Sequence, residues 1–355
     1  MTTATEEAWA FLRSVLDDLA QVVRDDARDE REQLEGFRVL ARILALCSEL
    51  SVDVDPGEPR MFPMATPMRQ VGGPNPNGEY DLCAIAPGSA YRLTGQRGSV
   101  TYLGFQVMAG VGLTPRRSAA YVSDTDLVID ADGRFDLVLA ATDPGVGGQW
   151  IEIPEDASAI VVRQYVADRA VETLATYDIA RLDPAGPPEA LDDETLAGQL
   201  TALAWTAVKL MTLHRSIAPE LLHEEPNRLI TAEAAAFGAE NTTPDNLYMM
   251  GVFDLADDEL LQLDLTPPDT RYWSIALENV WHECLEPRRR RSSLTNASVT
   301  TEPDGTVRLL VGAQDPGHPN WLDTGGRHRG FMVLRWLDNP EAPAVATRVV
   351  RSDTL

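Results

Sequence analysis

One segment of this chain is written twice, and that repeat limits the folds open to it. Asp304 to Trp336 reads DGTVRLLVGAQDPGHPNWLDTGGRHRGFMVLRW, and Asp132 to Tyr165 reads DGRFDLVLAATDPGVGGQWIEIPEDASAIVVRQY. Asp132-Gly133 and Asp304-Gly305 stand at equal distances ahead of Asp143-Pro144-Gly145 and Asp315-Pro316-Gly317. Arg163 and Arg335 follow those turns at equal distances, with Trp150 or Trp321 between. Asp-Gly suits a tight hairpin, because Gly accepts positive φ at little cost. The segment therefore reads as one β unit used twice, in a pseudo-duplicated β structure. Upstream, Tyr102-Leu103-Gly104-Phe105 and Tyr272-Trp273-Ser274-Ile275 each open an aromatic strand, at an offset that differs by two residues.

At 355 residues the chain is long for one core, so two lobes are expected. A net charge of −25 repels phosphate backbones and anionic lipid, which makes nucleic acid and membrane poor partners. The N-terminus carries acids where a signal peptide needs a basic start, and no stretch has the length of a membrane span. Cys47, Cys83 and Cys284 are scattered, without metal-ligand spacing, and fit free thiols in a reducing cytoplasm. No cofactor and no metal is implied.

Residues 1–55 read as a helical N-terminal segment. Thr3 and Glu6 form a candidate capping box, and Trp9, Leu12, Leu16, Leu19 and Val23 recur at helical spacing. After the charged run Arg24 to Glu32, a second stripe holds Leu34, Phe37, Leu40, Leu44 and Cys47. Asp53 to Asn77, rich in Pro, Gly and Met, reads as a long loop.

The first β unit spans 78–182, with strands expected at Tyr80–Ile85, Ala90–Thr94, Val100–Val107, Asp126–Asp130, Phe135–Ala140 and Ala159–Tyr165. A helical connector over 190–245 holds Glu194–Ser216 and Thr231–Glu240. The second β unit, 246–340, has strands expected at Tyr248–Phe253, Leu260–Leu265, Tyr272–Val280, Ser293–Thr300, Val307–Ala313 and Gly330–Leu337. Helices, strands, helices, strands is an α+β order of antiparallel sandwich-like sheets, not alternating βα units.

Three phrases, PNPNGEYDLCAIAPGSAYRLTGQRG, PPDTRYWSIALENVW and DPGHPNWLDTGGRHRGFMVLRW, resemble the bacterial family described as domain of unknown function 1214. The last is the most specific. The resemblance covers the C-terminal lobe well and the N-terminal lobe loosely. It implies jelly-roll-like β-sandwich units and supplies no catalytic residues.

Candidate chemistry gathers in the C-terminal lobe. An extended Tyr272–His282 would set Glu278 and His282 on one face as a general acid/base pair; the alternative is a solvent-facing strand edge. Asp315 and Asn320 could hydrogen-bond a ligand stacked on Trp321; in the structural alternative Asp315 caps its own turn and Trp321 plugs the sandwich end. Arg163 and Arg335 could pair with Asp143 and Asp315, and Arg335 could instead clamp an anion. Arg288 to Arg291 is a cationic cluster that could receive an anionic group, Arg291 in particular. His318 stands where the first copy has Val146.

The expectation is a cytoplasmic protein binding a small amphipathic or hydrophobic metabolite in a Trp-, Arg- and acid-lined cleft, as an enzyme of unassigned reaction class. Glu278, His282 and Asp315 are the acid/base candidates. Trp273, Trp281, Arg291, His318, Asn320, Trp321 and Arg335 are the ligand-binding candidates. The alternative is a non-catalytic binding or assembly module, with a homodimer through the N-terminal helices. Neither a nucleophile elbow, a P-loop, a dinucleotide fingerprint nor a HExxH motif is present.

Overall fold

A computed structural model describes residues 2–110, 116–184, 191–216, 225–232, 242–339 and 341–354. The chain divides into two compact units. The first comprises Met1–Thr66, Glu79–Gln164 and Glu172–Thr212; the second comprises Pro67–Gly78, Tyr165–Val171 and Leu213–Leu355.

The first unit opens with α1 (Ala4–Asp26) and α2 (Glu30–Ser51). Thr3 and Glu6 close the expected capping box, and Asp29 caps α2 by accepting from the Glu32 amide at 2.8 Å. The inward stripe of α1 is Ala8, Leu12, Val15, Leu19 and Val23. Small Ala8 and Val15 replace Trp9 and Leu16 in the expected stripe, and Trp9 is left exposed. The strands are β1 (Phe62–Pro63), β2 (Gly78–Ala84), β3 (Tyr91–Gln96), β4 (Tyr102–Ala109), β5 (Arg117–Ser123), β6 (Arg134–Ala140), β7 (Gln149–Glu152), β8 (Ala157–Tyr165) and β9 (Thr176–Arg181). Helix α3 (Asp193–Met211) ends the unit.

The second unit holds the short α4 (Leu213–Ser216) and then β10 (Leu229–Ala232), β11 (Asn246–Asp254), β12 (Glu259–Leu265), β13 (Trp273–Glu278), β14 (Ser293–Thr295), β15 (Val307–Gly312), β16 (Trp321–Asp323), β17 (Arg329–Leu337) and β18 (Val345–Arg351). Among the described residues the sheets of the first unit run β1-β2-β8-β4-β5 and β7-β6-β3-β9. Those of the second run β10-β11-β17-β13-β14 and β16-β15-β12-β18. Adding nine to each strand of the first pair gives the second. The chain is a duplicated α+β structure of two β-sandwich units, as the repeat predicts.

The copies agree in detail. Both Asp-Pro-Gly turns are closed by their own aspartate, Asp143 Oδ1 accepting from Gly145 N at 2.9 Å and Asp315 Oδ1 from Gly317 N at 2.8 Å. Strands β6 and β7 pair in parallel, as do β15 and β16. Trp150 Nε1 donates to the Ala140 carbonyl at 3.0 Å, and Trp321 Nε1 to the Gly312 carbonyl at 3.1 Å.

Two expected elements and one expected side-chain placement change. Asp126–Asp130 is not a strand, because the Gln149 side chain takes its backbone groups: Val128 N donates to Gln149 Oε1 at 2.8 Å, and Gln149 Nε2 donates to Asp126 O at 2.9 Å. Strand β5 lies just upstream instead. Of the helix expected at Thr231–Glu240, Thr231 and Ala232 end β10, paired with β11, and 233–240 lie outside the described residues. Trp273, expected on a ligand, stacks on Trp336 at 5.2 Å in the inter-sheet core of the second unit, because its alternation with Ser274 points it inward.

If the two Trp positions are equivalent, Trp150→Phe and Trp321→Phe each remove one indole hydrogen bond and lower stability by about 0.5–1.5 kcal/mol. Urea titration of both variants checks this; a loss in one and none in the other breaks the equivalence.

Candidate functional site

The five-stranded sheet of the second unit has two buried faces. Trp273, Ile275 and Leu277 of β13, Met332, Leu334 and Trp336 of β17, and Met249 and Phe253 of β11 enter the inter-sheet core. Period-two alternation then puts Ser274, Ala276 and Glu278, Phe331, Val333 and Arg335, and Tyr248, Met250 and Val252 on the other face. The register lines these up in three rungs: Ser274–Arg335–Tyr248, Ala276–Val333–Met250 and Glu278–Phe331–Val252. The face is polar at one end, apolar in the middle and acidic at the other end.

Beyond Glu278 the chain reverses. Asn279 Oδ1 accepts from the Trp281 and Glu283 amides at 3.0 and 3.1 Å, which makes an Asx-type turn. Asn279 N donates to Glu283 O at 2.8 Å, and His282 takes a left-handed φ of 56°. The imidazole therefore folds back: Nδ1 lies 2.8 Å from Glu278 Oε2, and the ring stacks on Phe331 at 4.0 Å and 18°. The sequence expectation of an extended strand through His282 is corrected here. The pair meets through a turn, and both residues are buried (Glu278 0%, His282 1%), so neither is a solvent-facing strand edge.

The segment Gln70–Asn77 passes over this end. Gly73 N donates to His282 O at 2.9 Å, and Arg335 Nη2 donates to Gly73 O at 2.8 Å while lying 3.9 Å from Glu278 Oε1. A Cβ on Gly73 would meet both Glu278 carboxylate oxygens at 3.4 Å, and its φ is 67°. Arg335 also lies over the Tyr248 ring, 5.9 Å from its centroid. Cys284 donates its thiol to Pro74 O at 3.3 Å; burial, then the charge of Glu278, pushes that thiol well above its ordinary range. Within this cluster His282 Nε2 has no hydrogen-bond partner among the described residues.

The remaining candidates lie elsewhere or act structurally. Trp281, on the same turn, presents an edge-on contact to His214 at 4.9 Å. Asp315 is exposed and caps its turn. Buried Asn320 accepts from Thr300 N at 2.7 Å and donates to Thr300 O at 2.7 Å and Arg308 O at 2.9 Å, bracing three backbone groups. His318 Nδ1 accepts from Asn320 N at 3.1 Å. Arg291 donates to Pro319 O, while Arg290 bridges Glu286 and Asp323 at 2.9 and 3.1 Å. Asp315, His318, Asn320, Trp321 and Arg291 thus form one braced corner around the β15–β16 turn.

Neither arginine pairs with its turn aspartate. Arg163 donates to Gln106, and Arg335 to Gly73, because each faces away from the core on a five-stranded sheet while the turns follow strands of the four-stranded sheets. Sequence reasoning also missed Asn279 and Gly73. An Asn directly after a strand and a Gly-Gly-Pro run were the signals available. A separate open groove of about 730 Å³ lies on the first unit's four-stranded sheet, lined by Thr94, Gln96, Asp130, Arg134, Asp136 and Gln149. Among the described residues no group of three or more His, Cys, Asp or Glu could hold a metal ion, and no helix is long and apolar enough to cross a membrane.

Duplicated β-sandwich units define the class of this fold. The chain belongs to the family described as "Protein of unknown function (DUF1214)", whose model matches residues 258–341. It is similar to an uncharacterized protein from Burkholderia cenocepacia, with 30% identity and a TM-score of 0.91 over 98% of each chain. The VPA0106 protein from Vibrio parahaemolyticus shares the fold at 10% identity, with a TM-score of 0.54 over 88% of this chain and 98% of that one. No curated protein matches.

Burial pushes the His318 imidazole below its ordinary value, and its Nδ1 must stay unprotonated to accept from Asn320. The folded state therefore binds this proton less readily than the unfolded one, whose value is about 6.5. The resulting stability is complete above about pH 6.5 and is lost as pH falls from there through the folded value. Urea midpoints measured at neutral and mildly acidic pH should converge between wild type and His318→Gln as the pH drops. Parallel curves would exclude the effect.

Proposed function

We propose that the second unit binds a small amphipathic molecule along the outer face of its five-stranded sheet, and that Glu278 and His282 move a proton on it. In the tautomer with its proton on Nδ1, His282 donates to Glu278 Oε2 and leaves Nε2 free to accept, which is the arrangement a general base uses. Arg335 and Tyr248 offer a fork and a ring to an acidic or hydroxyl group of the ligand. Ala276, Val333 and Met250 suit its apolar body. The outer rungs are four strand residues apart, roughly 13 Å, the span of a compact metabolite.

One observation carries this reading: the fold builds the same sheet face without the pair. Aligned on Tyr102 and Tyr272, Met108 takes the place of Glu278, and Ala159 that of Phe331. Those residues form an apolar cluster with Leu82 and Val161. The architecture therefore does not require an acid and an imidazole there. Three buried free cysteines support a reducing compartment such as the cytoplasm.

A thermal-shift panel of short aromatic and aliphatic acids, alcohols and aldehydes tests the site, since a ligand raises the midpoint by mass action. A ligand of this site shifts wild type but not Arg335→Met. Turnover of that ligand, followed by NMR, should fall about 10²–10⁴-fold in Glu278→Gln and His282→Asn. Unchanged turnover in folded variants would remove the proton-transfer role.

A second reading, self-association through the helices of the first unit, is favoured by exposed aromatic residues. Phe11 and Trp205 meet at 5.7 Å yet are 36% and 52% exposed, and Trp9 is 54% exposed. Sedimentation velocity should then show a dimer that Phe11→Ser with Trp205→Ser dissociates. A monomer at all concentrations excludes it.

A further inference from the structure

The pair cannot be reached as it stands. Glu278 is 0% and His282 1% exposed, while His282 Nε2 has no partner among the described residues. Any ligand needs part of the surrounding chain to move. The segment Gln70–Pro74 has the attributes of the moving part.

Its bonds to the turn after Glu278 and to Arg335 are local. Cys284 N donates to Gln70 O at 3.1 Å, Gly73 N to His282 O at 2.9 Å, Arg335 to Gly73 O at 2.8 Å, and the Cys284 thiol to Pro74 O at 3.3 Å. Val71 pairs with Glu283 as an isolated bridge, not as part of a ladder. No strand therefore has to be unzipped to release it. Immediately downstream the chain is pinned: Asn75 Nδ2 donates to the Tyr272 hydroxyl at 2.7 Å, and Val166 N donates to Asn77 O at 2.9 Å. Within the segment lie Gly72 and Gly73, both in the left-handed region at φ 81° and 67°. Glycine changes between backbone basins with little steric cost, which is what a hinge needs.

We infer that Gln70–Pro74 is a gate over the Glu278–His282 pair, its backbone change taken up at Gly72 and Gly73, which opens to admit a ligand and closes to exclude water from it. What the gate admits rests on the proposed function; whether it opens does not. In the closed form Gly73 covers the carboxylate through its missing side chain and holds Arg335 by its carbonyl, so one movement uncovers the acid and frees the fork together. Cys284, under the same segment, is a native reporter: its sulfur is bonded to Pro74 O and becomes available to reagent when the gate lifts.

The test is alkylation of the full chain by iodoacetamide with peptide mass spectrometry, run beside amide exchange of β17 in the same unit. Expected is Cys284 labelling roughly 100-fold faster than the opening that exchanges β17 amides, with a shallow denaturant dependence typical of local opening. Gly72→Ala, forced into a left-handed φ, destabilises the closed form and should speed labelling and β17 exchange alike by roughly fivefold, so that the roughly 100-fold gap between them persists. Labelling that keeps pace with β17 exchange, in wild type and Gly72→Ala alike, overturns the gate. Fast local labelling that no molecule of the thermal-shift panel slows upholds the gate and counts against the ligand reading instead.

Discussion

The second unit depends on one strand being buried on both faces. Every residue of β17, Arg329 to Leu337, is out of solvent. Met332, Leu334 and Trp336 join the inter-sheet core. Phe331, Val333 and Arg335 face the other way, where water would have satisfied a guanidinium and does not. A buried arginine must be met by acceptors and charges that the neighbouring chain brings to it. Gly73 supplies a carbonyl, Tyr248 a ring face, and Glu278 a carboxylate at 3.9 Å. The strap, the register of β11 and β13, and the turn after Glu278 can be traced to that requirement.

The duplication acts as an internal comparison. Strand order, the capped Asp-Pro-Gly turn and the indole-to-carbonyl bond recur in both units, so they belong to the architecture. A buried arginine recurs as well, but Arg163 finds the neutral amide of Gln106 where Arg335 faces an acid. Aligned on Tyr102 and Tyr272, the first copy has Met108 and Ala109 where the second has Glu278 and Asn279. What differs between two solutions of one folding problem is the part that folding does not demand.

Much of this fold was legible in the residues, because β periodicity and turn chemistry are local. The hairpins at Gly133 and Gly305, with φ of 81° and 86°, sit where Asp-Gly places them, and the strands flanking them were expected. Trp321 and Asn320 attracted attention for their chemistry, yet their roles are bracing, which no residue type reveals without its partners. Asp126–Asp130 fails as a strand for a non-local reason, since a side chain from β7 occupies its backbone. The Glu278–His282 contact was expected from a wrong conformation. Alternation along an extended strand and reversal through an Asx turn both bring residues four apart together. Only the second also buries them beneath the glycine strap, a segment two hundred residues away in sequence.

The cost of the arrangement argues for its use. A non-glycine residue at φ 56° is strained by roughly 1 kcal/mol, and a carboxylate at 0% exposure loses its hydration. Replacing buried ionic groups with well-packed apolar ones of similar volume is often neutral or stabilising. Met108, Ala159, Val161 and Leu82 show that this protein has such a packing available for the same sheet face. A purely structural account must therefore explain why the second copy keeps an acid and a strained histidine, whose Nε2 has no partner among the described residues, where the first packs apolar groups. The proton transfer proposed for this pair would use that nitrogen, and a sheet brace has no use for it.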